Sequence, residues 1–251
     1  MTSVLTRFQR DHSLYEKAVG EIIRSWPRGG IHIDGGAHLG DHTRAMLARD
    51  DVGTVYAVEA IAALCDRLFA RFGRESKFRL IRGAIGKKPG EADFAVAVNA
   101  PGYSGLVQRP VDAVDRWEMV RTIVTTLDEA IAVEDHAGVG LIKLDLEGGE
   151  FDALLGATGI IAKARPCVVF ENGLRTSASQ YGYGWNEFSE FFESLGYHIY
   201  DFFSCRVDQQ YWDAVLQTYM FIAVPAEKAD GHWLQVTLPA IIDRVATAGS
   251  G

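Results

Sequence analysis

Short apolar runs alternate with amphipathic stretches along most of the chain. Runs rich in Val, Ile and Phe predict strands, whereas apolar residues spaced three and four apart predict helices. The predicted strands cover residues 31–34, 54–59, 78–83, 140–145, 167–171, 198–202 and 219–224. The predicted helices cover residues 3–25, 41–49, 62–72, 149–157 and 185–195. This alternation indicates βαβ units that build a parallel sheet, and so an α/β fold.

The alternation is interrupted between residues 91 and 125. Residues 92–98 and 120–125 each have the pattern of a strand, and the residues between them are rich in turn formers. We interpret this insertion either as a functional loop or lid, or as a surface β-hairpin. The predicted organisation is an N-terminal helical segment (1–29), a main domain (30–225) with the insertion at about 91–125, and a C-terminal segment (226–251).

The composition is that of a globular protein with a substantial core. Of the 251 residues 48% are hydrophobic, and 25 Lys and Arg against 33 Asp and Glu give a net charge of −8. This acidic balance argues against a general nucleic-acid binder, which needs a basic surface. The three scattered cysteines indicate neither a disulfide framework nor a pair of zinc ligands. No apolar run is long enough for a signal peptide or a membrane span. We expect a cytoplasmic protein. The sequence does not fix its oligomeric state, and a homo-oligomer is one alternative.

The sharpest local motif is a glycine-rich turn between a predicted strand and a predicted helix. It runs from Asp34 to Gly40, and its glycines let a ligand approach the backbone. Glu59 ends the next strand, where nucleoside sites carry an acid for the ribose hydroxyls. An NAD fingerprint would need glycine at position 37, which is alanine here. The spacing D-x-G-x-x-x-G is closer to the turn that binds S-adenosylmethionine; the alternative is a simple tight turn.

Six segments, in sequence order, resemble the FkbM-type methyltransferases. They are IDGGAHLGDHT (33–43), VYAVEAI (55–61), RGAIGKKPGEADF (82–94), TTLDEAI (125–131), LIKLDLEGGEFDALLGA (141–157) and VVFEN (168–172). The resemblance implies a class I methyltransferase (Rossmann-like) fold, with a seven-stranded, mostly parallel sheet, an antiparallel last strand and helices on both faces. It also implies S-adenosyl-L-methionine as the cofactor and O-methylation of a small molecule or glycan.

The resemblance further implies which residues contact the cofactor. The glycine-rich turn would line the methionine moiety through Asp34, Gly35, Gly36, Ala37, His38 and Gly40. Glu59 would bind the ribose hydroxyls. The adenosine would lie against four apolar residues, Ala60, Ile61, Ala84 and Ile85. The family usually has Asn where this chain has His38, and this substitution brings a titratable side chain to the turn.

Carboxylates gather after the fourth predicted strand of the main domain, at Asp145, Glu147 and Glu150. Ligands of open α/β sheets bind at this edge, and clustered carboxylates raise one another's pKa, so that one of them can accept a proton. We expect Asp145 to be functional and to contact the cofactor as well, whereas Glu150 is interpreted as a helix cap or a surface residue. With Glu171, at the end of the next strand, the candidate bases are Asp145, Glu171, Glu147 and His38.

Asp145, Glu171 and Asn172 together are similar to the oxygen ligands of metal-dependent catechol-type O-methyltransferases. Here a glutamate stands where those enzymes usually have an aspartate. A Mg²⁺ site is one hypothesis. The other, which we prefer, is that these residues bind a substrate hydroxyl without a metal.

The acceptor site is expected to use aromatic and polar side chains. The candidates are Tyr103, Trp117, Asn172, Arg175, Tyr183 and Trp185. Aromatic rings beside glycines can stack on a sugar or a flat ring, and Arg175 could hold an acidic group of the substrate. The alternative is that the aromatics are ordinary core and turn residues and that the arginine is a solvated surface residue.

Three functions are consistent with these patterns. The first is an S-adenosylmethionine-dependent O-methyltransferase that acts on a sugar, glycan or polyketide-like natural product. The second is an NAD-dependent oxidoreductase or epimerase, against which Ala37 and the absence of a Tyr-x-x-x-Lys pair count. The third is a non-catalytic module that binds the cofactor or a partner protein, against which the retained Asp34, Glu59 and Asp145 argue.

Overall fold

The computed structural model describes residues 3–214 and 218–248. Its strands are β1 (Gly30–Gly35), β2 (Val52–Glu59), β3 (Phe78–Arg82), β4 (Ala84–Ile85), β5 (Gly90–Ala97), β6 (Trp117–Thr125), β7 (Val139–Leu144), β8 (Cys167–Glu171), β9 (Tyr197–Asp201) and β10 (Met220–Pro225). Seven strands form one sheet in the order β3-β2-β1-β7-β8-β10-β9. Neighbours are parallel except at β10, which runs antiparallel to β8 and β9. The predicted seven-stranded, mostly parallel sheet with an antiparallel last strand is confirmed.

The seven predicted strands of the main sheet are all present, and their ends differ from the predicted ones by at most two residues. The central strands β7 and β8 are apolar runs because both of their faces are covered. Successive side chains of a strand point to opposite faces. Leu141 and Val169 therefore belong to one core, whereas Ile142 and Val168 belong to the other.

Helices cover both faces of this sheet, as predicted. They are α1 (Val4–Arg10), α2 (Ser13–Ser25), α3 (Asp41–Leu47), α4 (Ala62–Phe72), α5 (Leu127–Ala130), α6 (Glu150–Leu155), α7 (Thr158–Ala164), α8 (Arg175–Tyr181), α9 (Trp185–Ser194), α10 (Gln209–Asp213) and α11 (Leu238–Ala248). Helices α1, α2, α3 and α11 pack on the core that contains Leu141. Helices α5, α6, α7 and α9 pack on the core that contains Ile142.

Two helix predictions are corrected. The single helix expected at residues 3–25 is split, because the carboxylate of Asp11 accepts hydrogen bonds from the N–H (3.0 Å) and the hydroxyl (2.7 Å) of Ser13 and begins a new helix there. The helix expected at residues 149–157 ends at Leu155, and α7 follows. The pattern did not predict α5, α7, α8, α10 or α11. The first four are short helices stabilised by packing more than by their own periodicity.

The insertion is a β-hairpin with a long connection. β5 pairs antiparallel with β6, and β4 pairs parallel with β6, so that a three-stranded sheet lies beside the main one. Residues 98–116 join the two strands of the hairpin, and part of this connection borders a cavity. The hairpin predicted as one alternative is therefore present, and its connection lies where a functional loop would lie.

The N-terminal helices pack on the main domain. Helix α2 contacts α3 and α11, and Nη2 of Arg244 lies 2.8 Å from Oε2 of Glu21. The boundaries at residues 29/30 and 225/226 stay a prediction. Within residues 3–214 and 218–248, no helix combines the length and the apolar character needed to cross a membrane.

Candidate active site

A cavity of about 850 Å³ opens at the carboxyl ends of β1, β2, β7 and β8. This is the edge at which open α/β sheets bind ligands, and the volume is in the upper part of the roughly 300–1,000 Å³ range of small-ligand sites. One side, which we name the turn end, is lined by residues 36–39, 59–61 and 83–85. The other side, the acidic end, is lined by Asp145, Glu147 and Glu171 together with residues of α2, α8 and the 98–116 connection.

Residues 36–39 form one wall of the turn end. Gly36 has a φ of +72°, and a Cβ atom at this position would lie 1.9 Å from the carbonyl oxygen of Asp145. Glycine is therefore required for the turn after β1 to lie this close to the end of β7. His38 has a φ of +49°, which is uncommon for a residue with a side chain. Its backbone N–H donates to Glu59, and this bond helps to hold the turn in place.

Glu59 ends β2 and is 7% exposed at the cavity wall. Its Oε2 accepts the N–H of His38 at 2.9 Å, and its Oε1 accepts the N–H of Ile61 at 2.9 Å. Burial raises the pKa of Glu59 above its ordinary value, although these amide donors act in the opposite direction. A carboxylate has about four acceptor positions. Glu59 can therefore hold both turns and still accept hydrogen bonds from a ligand.

The structure brings most of the expected cofactor residues together. Those that line the cavity are Gly36, Ala37, His38, Glu59, Ala60, Ile61, Ala84, Ile85 and Asp145. Asp34, Gly35 and Gly40 do not line it. Asp34 is fully buried and accepts a hydrogen bond from the hydroxyl of Thr43 at 2.6 Å. The expected contact between Asp34 and a ligand is corrected to a structural role beneath the turn.

Lys143 neutralises the buried charge beneath the cavity. Its Nζ lies 3.2 Å from Oδ1 of Asp34 and 3.8 Å from Oδ2 of Asp145, and it donates to the carbonyl oxygen of Gly36 at 2.9 Å. Burial acts to lower the pKa of Lys143, but the carboxylates of Asp34 and Asp145 outweigh it and raise this pKa above its ordinary value. The lysine stays charged and connects the two ends of the cavity.

The carboxylates of Asp145, Glu147 and Glu171 meet where β7 and β8 end. Each contributes an oxygen atom that lies within 4.8 Å of the other two. Burial raises the pKa of Glu171 well above its ordinary value, and the neighbouring carboxylate of Asp145 raises it further. Glu171 therefore keeps its proton to a higher pH than an ordinary glutamate and is a stronger base once it is ionised.

Glu147 has a φ of +58° and forms an ion pair with Arg109. Arg109 belongs to the connection between β5 and β6, so the insertion supplies a cation to the acidic end. The side chains of Arg109 and Glu147 are 21% and 13% exposed. This pair is therefore partly shielded from solvent and is more than a surface contact.

Glu150 begins α6 behind the acidic end and is fully buried. Its Oε1 accepts the N–H of Leu146 at 2.7 Å and the N–H of Gly148 at 3.1 Å. Burial raises the pKa of Glu150 to about 7, although these donors act against the shift. Both donors precede α6, so Glu150 holds the turn before the helix and is neither a helix cap nor a surface residue. Glu150 holds the turn that presents Asp145 and Glu147.

Of the three predicted magnesium ligands, Asp145 and Glu171 come together, whereas Asn172 does not join them. Asn172 is fully buried and lies outside the cavity lining. Its Nδ2 donates to the hydroxyl of Tyr183 at 3.1 Å, and its Oδ1 accepts the N–H of Leu174 at 2.7 Å. The amide is thus engaged within the fold, and the third carboxylate of the group, Glu147, is paired with Arg109. These residues give the Mg²⁺ hypothesis no support.

Of the expected acceptor residues, Tyr103 lines the cavity. The remaining five lie outside its lining: Trp117, Asn172, Arg175, Tyr183 and Trp185. Tyr183 and Trp185 pack against Trp212, with ring centroids 6.4 Å and 5.7 Å apart. They are the core aromatics that the alternative interpretation describes.

Arg175 and Trp117 are also held elsewhere. The guanidinium of Arg175 donates to the carbonyl oxygen of Ala214 at 3.5 Å and lies at the surface. Trp117 begins β6 and pairs with Ala97 in the hairpin. Their expected contacts with a substrate are therefore not part of this cavity.

Residues from distant parts of the chain complete the acidic end. They are His12, Ser13, Glu16, His42, Arg109, Thr176, Gln180 and Tyr219, none of which the sequence predicted. The position of Tyr219 could have been predicted from the sequence. It directly precedes the antiparallel strand, and such a strand starts at the edge of the sheet where its parallel neighbours end. Helix α2 offers no such signal, since its pattern does not indicate which strand ends it crosses.

A family model described as the methyltransferase FkbM domain matches residues 34–201. The chain belongs to the FkbM methyltransferase family. The match includes the turn after β1, Glu59, and the acidic residues after β7 and β8. A comparison with curated proteins found no match.

One solved structure of an FkbM methyltransferase shows the same fold. Methyltransferase FkbM from Methylobacillus flagellatus KT is 14% identical with a TM-score of 0.52, and the match covers 88% of this chain and 52% of that one. This chain therefore spans about half the length of that relative. Sp1610 of Streptococcus pneumoniae, solved in complex with S-adenosyl-L-methionine, is 10% identical with a TM-score of 0.44 and coverages of 94% and 99%. The methyltransferase domain of bacterial-CtHen1-CN is 10% identical with a TM-score of 0.45 and coverages of 84% and 99%.

Membership of the family implies S-adenosylmethionine as the methyl donor. The turn end fits such a group. Gly36 and Ala37 let a ligand approach the backbone, and Glu59 has acceptor capacity left. An apolar wall is supplied by Ala60, Ile61, Ala84 and Ile85.

Proposed function

We propose that this FkbM-family protein transfers a methyl group from S-adenosylmethionine to a hydroxyl of a small molecule, such as a sugar, a glycan or a polyketide-like natural product. The observation that carries the proposal is the build of one continuous cavity. It has a nucleoside-type turn with Glu59 at one end and the carboxylates of Asp145 and Glu171 at the other.

At the turn end, Glu59 accepts hydrogen bonds from the ribose hydroxyls, and the backbone of residues 36–38 follows the methionine part. Ala60, Ile61, Ala84 and Ile85 cover the adenosine. Asp145, at the junction of the two ends, faces the methionine part and the acceptor. When bound, the cofactor supplies an electrophilic methyl group on a sulfonium.

At the acidic end, Glu171 is the residue that takes the proton of the acceptor hydroxyl. Its raised pKa brings its basicity closer to the working pH, which is the condition for an efficient general base, and such a base contributes roughly 10²–10⁴-fold to the rate. Asp145, with a carboxyl oxygen within 4.8 Å of one of Glu171, stabilises the proton that Glu171 receives. Glu147 and His38 are the next candidates.

Much of the rate must come from alignment, because methyl transfer is an in-line displacement that needs no oxyanion site. The acceptor lies between the acidic end and the connection 98–116, with Tyr103 and Arg109 on the side of the insertion. The ion pair of Arg109 with Glu147 holds this connection in place over the cavity.

The test is a screen of hydroxylated small molecules with donor labelled in the methyl group. We expect label to enter an O-methyl ether with the wild-type protein. The Glu171→Gln variant should transfer it about 100-fold more slowly. Glu193→Gln, which changes an exposed carboxylate of α9 outside the cavity, is the matched control. Equal rates for Glu171→Gln and the wild type would contradict the assigned base. A protein that binds the cofactor but labels no hydroxyl would contradict O-methylation.

A further inference from the structure

The acidic end combines aromatic rings with carboxylates. Tyr219 lines the cavity beside β10, and its ring centroid lies 5.4 Å from that of His12, which lines the cavity from the start of α2. Tyr219 lies beside the end of β8, because its carbonyl oxygen accepts the N–H of Asn172 at 2.8 Å and the next residue, Met220, pairs with Glu171. Glu16, one turn further along α2, adds a carboxylate at the opening.

The fixed cations of this region are already engaged. Among the described residues that line the cavity, Arg109 and Lys143 are its lysines and arginines. Arg109 is paired with Glu147, and Lys143 lies closer to Asp34 than to Asp145. Lys143 therefore compensates the charge of Asp145 only in part, and the carboxylate of Glu16 lies beside a histidine, with 3.5 Å between its Oε2 and Nε2 of His42.

This field discriminates between ligands by charge. Asp145, Glu147 and Glu171 each place a carboxyl oxygen within 4.8 Å of the other two, and the arginine beside them, Arg109, pairs with Glu147. The balance opposes a further negative charge, so a phosphate or carboxylate on the acceptor would be repelled. A cation would be attracted, and an aromatic ring beside carboxylates is a setting that recognises ammonium groups.

We propose that the acceptor carries a protonated amine next to the hydroxyl that is methylated, and that this ammonium group binds beside Tyr219 and between the carboxylates of Asp145 and Glu171. The inference rests on the proposed function and names the substrate class of that same site.

The proposal also couples acceptor binding to the state of the base. An ammonium group stabilises the ionised form of Glu171, so the carboxyl proton leaves to the buffer when the acceptor binds. In the transfer, the acceptor oxygen forms a bond to the methyl carbon while the carbon–sulfur bond breaks and its electron pair stays on sulfur. The hydroxyl proton passes to the ionised Glu171, which returns to its protonated state. Charge and protons balance over the cycle.

The test uses three ligands with one ring and one hydroxyl that differ in the charge of the neighbouring group. They are trans-2-aminocyclohexanol, trans-cyclohexane-1,2-diol and trans-2-hydroxycyclohexanecarboxylate. Each is titrated by calorimetry, near neutral pH, into protein saturated with S-adenosylhomocysteine. We expect the amino alcohol to bind on the order of tenfold more tightly than the diol, and the hydroxy acid to bind more weakly than both. Titration in two buffers of different ionisation enthalpy should show proton release with the amino alcohol and none with the diol.

Variants separate the proposal from a general effect of charge. Glu171→Gln should abolish proton release, whereas the control Glu193→Gln should keep it. Tyr219→Leu should remove most of the preference for the amine, whereas Tyr219→Phe, which keeps a ring, should retain it. Thermal melting checks that each variant is folded.

The outcomes are distinguishable from a failure of the proposed function. Three results would overturn the amine proposal and leave the cofactor site intact. The diol binds as tightly as the amino alcohol, the hydroxy acid binds best, or protein that holds S-adenosylhomocysteine binds none of the three ligands. If S-adenosylhomocysteine itself does not bind to folded protein, the proposed function fails and the amine proposal fails with it.

Discussion

The two ends of the cavity are built from different kinds of groups. The turn end is formed by three loops that follow β1, β2 and β3, and it offers mainly backbone and small apolar side chains. The acidic end is formed by the carboxylates where β7 and β8 end, together with side chains from α2, α8, the insertion and the residue before β10, which are far apart in the chain. A cofactor common to a family can be bound by conserved geometry of the backbone, whereas an acceptor requires side chains that differ between proteins.

The two ends share one support. The buried pair of Asp34 and Lys143 lies beneath the turn after β1 and reaches Asp145 at the end of β7. A change in this pair should affect both ends, whereas a change in Glu59 or Arg109 should affect one. Four predictions follow this division.

Asp34→Asn leaves Lys143 as a buried charge without its closest partner. We expect the free energy of unfolding to fall by about 3–5 kcal/mol, as measured by urea denaturation, and ligand binding to fail at both ends. The double variant Asp34→Leu with Lys143→Met removes both charges and should be less destabilised. A single variant as stable as the wild type would show that the pair does not support the cavity.

The stability of the wild-type protein should fall as the pH rises through neutrality, because of the acidic end. Burial raises the pKa of Glu150 from 4.5 to about 7 in the folded state. A carboxyl group with a raised pKa binds more protons in the folded protein than in the unfolded one. Glu150 therefore stabilises the fold fully below pH 4.5, and this stabilisation is lost as the pH rises through about 7. The free energy of unfolding should fall over this range by at most about 3 kcal/mol. Urea titrations across this range should show a flatter profile for Glu150→Gln than for Glu193→Gln. Identical profiles would contradict the assignment.

Glu59→Ala should weaken the turn end alone. The carboxylate holds the N–H groups of His38 and Ile61 and is left free to accept from the ribose. We expect the affinity for S-adenosylhomocysteine in calorimetry to fall about 100-fold, as for the loss of two charge-assisted hydrogen bonds. Glu193→Ala is the control. An unchanged affinity in Glu59→Ala would remove the ribose assignment.

The smallest effect is expected for Arg109→Ala, at the acidic end. This change removes the partner of Glu147 in a partly exposed ion pair and should cost about 1 kcal/mol of stability. Binding of S-adenosylhomocysteine should change less than threefold, which is about 0.7 kcal/mol, because Arg109 lies away from the turn end. A large loss of cofactor affinity would show that the two ends are not independent.

The same division explains what the sequence could predict. Gly36 and Glu59 stand in a short motif whose spacing is fixed by the strand–turn–helix unit, so their place at the cavity follows from local pattern. Asp145 and Glu171 follow because the carboxyl ends of neighbouring parallel strands meet at one edge. The seven strands were predictable for the same reason, as buried runs of regular length.

Residues at the acidic end could not be placed in this way. His12 and Glu16 reach it from α2, and Arg109 from a connection without regular structure. Asp34 was predicted to contact a ligand because it stands in the same motif as the glycines. Its carboxylate instead pairs with Lys143, which comes 109 residues later in the chain and whose position the local motif does not indicate. Trp185 looked like a substrate contact because an exposed and a buried aromatic have the same local sequence signal.

The most direct test of the account is a calorimetric titration of the wild-type protein with S-adenosylhomocysteine, with NAD⁺ as the control titrant. The account predicts micromolar affinity for S-adenosylhomocysteine and no detectable binding of NAD⁺, because the turn end fits a nucleoside without a pyrophosphate. Folded protein that does not bind S-adenosylhomocysteine, or that binds NAD⁺ equally well, would contradict the assignment of the turn end as the methyl-donor site.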